Sequence, residues 1–416
     1  MPTFLHTADW QIGKPYARVT DPDKRSRLRQ VRLEAIERIG ATAAGASFLV
    51  VAGDLFDSPT PARSDVSAVC AAIGRLELPV LVIPGNHDHG APGSVWHSEA
   101  FRAERERRAP NLQLLLERKP VELAEAVVLP CPLLRRIDSA DPCAWLQQLA
   151  WSELPAGKAR IVLAHGAVQD FRPGDLDPLA SAHPSPRGAR VNAQAGAGNR
   201  LRLEADWLAE VDYVALGDWH GLQQVGPSVW YSGTPEPDRF PRSDDYRAGK
   251  VLQVSVERGS PPSVTPLATG QIRWHPLRFH CRNEEDLPRL EQQIDALLGE
   301  RVGSDLLLLE LEGSLSLSGQ ERLQQLLERL RAQLLRLKLR GGCALMPAPA
   351  ELAALTERPG DPLVARVALR LQEQLILSDQ HRDRDADGDG ISDGLSEATV
   401  LRQALVALHR LVREAA

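Results

Sequence analysis

Through roughly the first 270 residues, short unbroken apolar runs alternate with stretches of helical periodicity. Phe4-Leu5-His6-Thr7 reads as a strand ending at Asp9, and Ser47 to Ala52 as a strand stopping at Gly53-Asp54. Pro79 to Ile83 stops at Gly85-Asn86, Ala159 to Ala164 at His165, and Val211 to Leu216 at Gly217-Asp218. Arg27 to Ala44 and Ser64 to Leu76 predict helices; in the first, Leu28, Val31, Leu33, Ala35, Ile36 and Ile39 fall near helical spacing. Continuous rather than alternating apolarity predicts strands buried on both faces. The class is therefore α/β, and the polar residues lie where such sheets bind ligands, at the C-terminal strand ends.

The pattern changes near Gln271. Ile272 to His280 predicts a strand, Glu284 to Leu298 a helix, Asp305 to Leu311 a strand, and Ser318 to Leu339 a long helix with Ser318 as N-cap and Glu321 completing a capping box. Pro362 to Leu377 and Ser396 to Glu414 predict a helical hairpin, with Leu363, Val367, Leu371 and Leu375 on one stripe and Val400, Leu401, Leu405, Leu408 and Leu411 on the other. These stripes suit either packing within their own domain or docking of a partner. The expected domains are 1–270, 271–345 (α+β) and 346–416 (helical, with an acidic loop). Between His165 and Asp218, Phe171 to Asn199 is rich in Pro, Gly, Ala and Ser, and Arg172, Arg187, Arg190, Arg200 and Arg202 lie in or just after it. It reads either as a flap touching phosphate or as a tolerated insertion.

Composition narrows the function. The chain has 416 residues, 43% hydrophobic and 25% charged, without an 18-residue apolar stretch to span a bilayer. No basic head or apolar signal region precedes the first motif, and the five cysteines are scattered and never Cys-x-x-Cys. These features predict a reducing, cytoplasmic setting. A net charge of −6 argues against coating nucleic acid by bulk electrostatics, yet bound metals and local arginines reverse the field at a cleft.

Oxygen and nitrogen donors gathered at strand ends suit two divalent metals acting on a phosphate ester. Asp54, set beside Gly53, is the candidate bridge; Asp9 with His220 would hold one ion, and Asn86 with His165 the other. His87 follows Asn86 and so points elsewhere, toward the scissile phosphate as proton donor or transition-state stabiliser. Asp57 and Asp88 are assigned to orienting the histidines. Lys14, Arg18, Arg239 and Arg242 are candidate phosphate contacts. A separate loop, Asp383 to Gly394, resembles the calcium loops of thrombospondin type 3 repeats, with Asp385, Asp387, Asp389 and Asp393 as candidate ligands for Ca²⁺; a solvated acidic linker is the other reading.

Five of these runs, His6 to Trp10, Val51 to Asp57, Ile83 to Asp88, Leu163 to Gly166 and Leu216 to His220, together with Tyr231 to Glu236, resemble the calcineurin-like metallophosphoesterases. More closely they resemble the SbcD-type DNA repair exonucleases, over roughly residues 1 to 340. The resemblance implies a four-layer α/β/β/α sandwich, a small capping domain, two manganese (or magnesium) ions, DNA as substrate, a homodimer, and an SbcC-like ATPase docking on the C-terminal helices. It also places Gln11 and Asp218 among the metal-binding positions, and both depart from the pattern. Gln11 stands where the family has the histidine of Asp-x-His, and Asp218 where it has the first histidine of Gly-His-x-His. The resulting site is harder and one charge more negative, favouring Mn²⁺ or Mg²⁺ and raising the pKa of a bridging water. Three functions remain: a metal-dependent DNA phosphodiesterase, a DNA-end or partner-binding scaffold with a degenerate metal centre, and a phosphodiesterase for a non-DNA substrate. Retention of Asp54 and His87 favours the first.

Overall fold

The computed structural model describes residues 1–168, 198–203, 206–241, 246–346, 348–358, 360–382 and 397–414. The chain divides into two compact units, Met1–Arg273 and Trp274–Ala416.

The first unit is built on two six-stranded mixed sheets. In one, Thr3–Thr7, Leu49–Ala52, Val80–Ile83 and Leu112–Leu114 run parallel, Lys250–Ser255 adds antiparallel beside Thr3–Thr7, and Ser263–Ala268 pairs antiparallel with Lys250–Ser255 at the edge. In the other, Ala126–Cys131, Ala159–His165, Tyr213–Gly217 and Val229–Tyr231 run parallel, with antiparallel edges at Val121–Glu122 and Gln223–Gly226. Side-chain alternation then sorts each strand between two cores. Phe4, Val50, Ala52, Leu81 and Ile83 meet Val128, Ile161, Leu163, Tyr213 and Ala215 between the sheets. Leu5, Val51, Val80 and Val82 face outward onto Ile36, Ile39, Val69, Ile73 and Phe101 of the helices Pro22–Ala41, Arg63–Gly74 and Glu99–Arg108. The far face of the second sheet is covered, among the described residues, by short 3-10 turns that supply Leu146 and Trp207. The expected α/β sandwich is present. Its first helix begins earlier than the apolar stripe suggests, because Asp21 caps the amides of Asp23 and Lys24 ahead of the first buried leucine.

The second unit holds Arg273–Cys281, Asp305–Leu315, Arg336–Gly341 and Ala344–Leu345 as a small sheet beside Leu287–Leu298 and Leu317–Gln333. Two expectations are corrected here. The N-cap is Ser316, whose hydroxyl accepts from the Gly319 amide, not Ser318. The helix also stops at Gln333, and Arg336–Gly341 becomes a strand parallel to Asp305–Leu315. Its Leu-Lys-Leu alternation suits a strand at a sheet edge, while the leucines just before it extended the helical stripe in sequence. The C-terminal hairpin, Pro362–Arg382 and Glu397–Glu414, divides its apolar positions. Leu375 and Leu405 are buried, whereas Leu363, Val367, Val400 and Leu411 are exposed.

Buried contacts near the C-terminal strand ends hold the two sheets of the first unit together. His6, wholly buried, accepts at Nδ1 from the Tyr213 hydroxyl (2.9 Å) and donates from Nε2 to the Leu216 carbonyl (3.2 Å), joining one sheet to the other. Gly217 lies so close to the first sheet that a Cβ on it would sit 1.9 Å from the Ala52 carbonyl oxygen. Gly217→Ala must push the strand ends apart; the expected cost is at the upper end of the ~1–3 kcal/mol seen for overpacked cores, read as a drop in Tm. A Tm equal to wild type would show that the strand ends tolerate separation.

Burial lowers the His6 pKa to about 3 against the pull of its carbonyl partner. Because the folded value lies below the unfolded 6.5, the native state is at full strength above pH 6.5 and loses stability as pH falls toward 3. From this residue alone, about 2 kcal/mol is lost between pH 7 and pH 5. Denaturant melts at both pH values should show that difference shrinking in His6→Gln; an unchanged difference would remove His6 as its source.

Candidate metal centre

The turns that follow the strands carry an unusual backbone. Asp9 (φ 55°), Gln11 (φ 44°), Asp54 (φ 55°) and Asp218 (φ 101°) all have left-handed or more strained conformations, although none is glycine. Such residues cost on the order of 1–3 kcal/mol each and collect where function holds them. Gly53 (φ 89°) makes the neighbouring approach possible, since a Cβ there would lie 2.3 Å from His165 Nδ1.

These turns bring Asp9, Asp54 and His165 together, with ligand atoms all within 4.8 Å of one another and all three residues buried. The His165 ring is fixed by a Nδ1 hydrogen bond of 2.7 Å to the Ala52 carbonyl. Its Nε2 then faces Asp54 at 3.7 Å and Asp218 at 3.9 Å. Asn86 donates its amide to Asp218 Oδ1 (3.1 Å), a partner that can only accept, so the Asn86 oxygen points away from it. Asp218 returns its own backbone N–H to the Asp9 carboxylate at 3.2 Å.

Electrostatics mark this nest as a place for positive charge. Burial alone would lower the His165 pKa, but Asp54, Asp9 and Asp218 outweigh it and raise the ring to about 9. The Asp9 carboxyl is raised, first by burial, with His220 and His165 pulling the other way. Asn86 Oδ1 and His165 Nε2 are both buried atoms that make no hydrogen bond. Buried polar atoms without partners are rare and costly, and a cation coordinated by both satisfies them. Carboxylate, amide oxygen and imidazole together are donors for a divalent first-row ion. The residues fit such an ion.

His87 stands beside the nest, part-exposed. Its backbone N–H donates to Asp54 Oδ1 (2.8 Å), and its ring Nδ1 lies 3.0 Å from the Asp57 carbonyl. Asp57 thus holds the ring chiefly through its backbone, its carboxylate lying at 3.8 Å. Asp88 does something other than orient a histidine. It accepts from the Gly85 amide (2.8 Å) and the Phe56 amide (3.0 Å), tying together the two loops that carry Asp54 and Asn86. Burial, then Asp54, raises its pKa to about 7.

The other side of the nest is differently arranged. Gln11 accepts at Oε1 from Lys14 Nζ (2.5 Å), and its Nε2 lies 3.4 Å from His220 Nε2. Both His220 Nδ1 and Lys14 Nζ are 3.0 Å from Asp238 Oδ2. Asp238 is buried, which would raise its pKa, yet His220, Arg239 and Lys14 hold it well below the usual carboxylate range. Arg239 pairs with the same carboxylate, and its Nη2 also lies 2.9 Å from His220 Nδ1. Two residues of this region escaped the motif reading. Asp238 follows two positions after the recognised run ending at Glu236. Arg32 sits on the buried face of its helix between Leu28 and Ile36, where a charge interrupts the apolar stripe. It donates to the Asp9 carbonyl (3.3 Å), the Glu236 carbonyl (2.8 Å) and Thr234 Oγ1 (3.0 Å), bracing the Asp9 turn from behind.

Arg18 is exposed, and Arg239 is engaged as above. Arg200 lies in the short strand Arg200–Leu201, and Arg202 donates its backbone N–H to Asp141. Arg172, Arg187, Arg190, Arg242 and the proposed calcium ligands Asp385, Asp387, Asp389 and Asp393 fall outside the described residues. No helix among the described residues is long and apolar enough to cross a membrane.

One solved structure aligned with the chain is 13% identical, covers 62% of this chain and 100% of its own, and superposes with a TM-score of 0.35, too low to carry an argument. Residues 2–244, more than half of the chain and every member of the nest, match the calcineurin-like phosphoesterase family. With that match and the buried Asp-Asp-His group in place, the chain belongs to the calcineurin-like phosphoesterases, metal-dependent hydrolases of phosphoesters.

Proposed function

We propose that the chain is a divalent-metal-dependent phosphodiesterase acting on DNA. The observation that carries the hydrolytic part is the convergence of buried Asp9, Asp54 and His165, with a part-exposed imidazole, His87, hydrogen-bonded through its backbone to one of them. Support for DNA comes from the resemblance of the motif runs to SbcD-type exonucleases and from the exposed Arg18, which lies close to the first of those motifs in sequence. The exposed Leu363, Val367, Val400 and Leu411 on the C-terminal hairpin support docking of a helical partner such as an SbcC-like ATPase.

Asp54, Asp9, His165 and Asn86 would hold the ion, which when bound neutralises phosphoryl charge and activates water. The protein's own contribution is positional. Ala52 fixes the His165 tautomer by accepting from Nδ1–H, leaving Nε2 toward the nest. The Asp57 carbonyl likewise takes Nδ1–H of His87, so that Nε2 is the atom that exchanges a proton with the leaving oxygen. Because the His87 amide is bonded to Asp54, the ring and the nest keep a fixed relation.

End-labelled duplex and single-stranded DNA incubated with Mn²⁺ should be cleaved by the wild-type protein. His87→Ala should lower kcat by about 10²–10⁴-fold while still binding Mn²⁺, and Asp54→Ala should lose both. Full activity in His87→Ala would remove the proton-transfer role, and hydrolysis confined to small phosphodiesters would reassign the substrate.

A further inference from the structure

We infer that this centre holds one resident divalent ion, and that a closed ring of Lys14, Gln11, His220 and Asp238 takes the place of a second. The inference rests on the metal-dependent reading above and refines it.

The two sides of the nest differ in which donor atoms are uncommitted. On the His165 side, the Asn86 oxygen and His165 Nε2 are buried without hydrogen-bond partners. On the other side the ring closes on itself. Lys14 donates to Gln11 Oε1 (2.5 Å), the Gln11 amide reaches His220 Nε2 (3.4 Å), and His220 and Lys14 both meet Asp238 Oδ2 at 3.0 Å.

The amide orientation of Gln11 is not arbitrary. An ammonium has no acceptor, so Lys14 must face the oxygen and the NH₂ must face His220. That NH₂ offers only protons and cannot coordinate a cation. The oxygen fares no better: an ion bonded to it at ~2.1–2.4 Å would stand within roughly 5 Å of the Lys14 ammonium.

His220 is engaged in either tautomer. With the proton on Nδ1, directed at Asp238, Nε2 is the acceptor for the Gln11 amide. With the proton on Nε2, Nδ1 accepts from Arg239 at 2.9 Å, and Nε2 faces the Gln11 NH₂ as a second donor, so the ring closes in the first tautomer alone. Neither arrangement leaves Nε2 a lone pair for a metal. The side chains involved are held firmly, since Gln11 and His220 are buried and the Asp238 side chain is only 1% exposed. Of the donors expected at this position, Asp9 and Asp54 lie outside the ring, Asp9 Oδ1 standing 3.9 Å from His220 Nε2, and both already contribute to the nest with His165. Lys14 supplies there a fixed positive charge that needs no exchangeable ion.

The test is metal stoichiometry on the full chain. Mn²⁺ titrated by calorimetry and followed by electron paramagnetic resonance should give one equivalent with the spectrum of an isolated Mn²⁺, and a second equivalent on the order of 100-fold weaker or not measurable. The double variant Gln11→His with Lys14→Ala should take up two equivalents and show spin-coupled Mn²⁺. Two tight equivalents in the wild-type protein would overturn the inference while leaving metal dependence intact. No binding at all would defeat the metal-dependent reading itself. One equivalent in both proteins would show that the ring is not what excludes the second ion. Since the decisive number is taken on the wild-type chain, the inference stays testable even if the double variant fails to fold.

Discussion

Three carboxylates gathered around one imidazole set the conditions for everything else in the first unit. Two unit charges about 4 Å apart interact by ~4 kcal/mol at an effective dielectric near 20, and Asp9 and Asp54 are both buried. Negative charge concentrated in that way must be balanced. The balance is visible in His165, which three carboxylates keep protonated to about pH 9 despite burial that favours the neutral ring. A nest that raises a histidine that far also attracts a divalent cation, which brings twice the charge and can accept several oxygens at once. The strained turns at Asp9, Asp54 and Asp218 are consistent with this, because each aims a carboxylate at a common centre at a conformational cost that a relaxed turn would avoid.

Such convergence depends on two sheets meeting at their C-terminal ends. Asp9 and Asp54 leave the first sheet, and His165 and Asp218 leave the second. Any separation of the sheets would pull the two halves of the ligand set apart. Gly217 against Ala52 and the His6 link to Tyr213 and Leu216 are therefore part of the site, although neither offers a ligand. Arg32 works on the same problem from the helix side by holding the carbonyl of Asp9 itself.

Much of this is legible in the chain. Unbroken apolar strands stopping on Asp9, Asp54, Asn86, His165 and Asp218 disclose a buried α/β sheet edge, because burial on both faces leaves strand ends as the places where polar side chains can gather. Side-chain contacts made across hundreds of residues are not legible in that way. Nothing local to Asp88 says that its carboxylate ties the Gly85 and Phe56 amides, since a buried carboxylate near a motif histidine reads most simply as its partner. Asp238 was invisible for the same reason, its role being defined by His220 and Lys14 rather than by neighbours in sequence. The strand Arg336–Gly341 was hidden by leucines that fit both periods, and only pairing with Asp305–Leu315 decides between them.

Gln11 and Asp218 look, one motif at a time, like two separate weakenings of a metal centre. Their surroundings make them parts of one redistribution of charge. Asp218 adds a carboxylate beside His165 and orients Asn86, so ligand strength and negative charge grow on that side. Gln11 removes an imidazole on the opposite side and, through its oxygen, accommodates an ammonium that an imidazole with its ring nitrogen toward a metal would not. Lys14 could not sit there beside a second dication, and the Asp238 carboxylate that anchors it also fixes His220. Loss of a ligand on one side and gain of charge on the other are then a single adjustment, in which a lysine stands in for an ion.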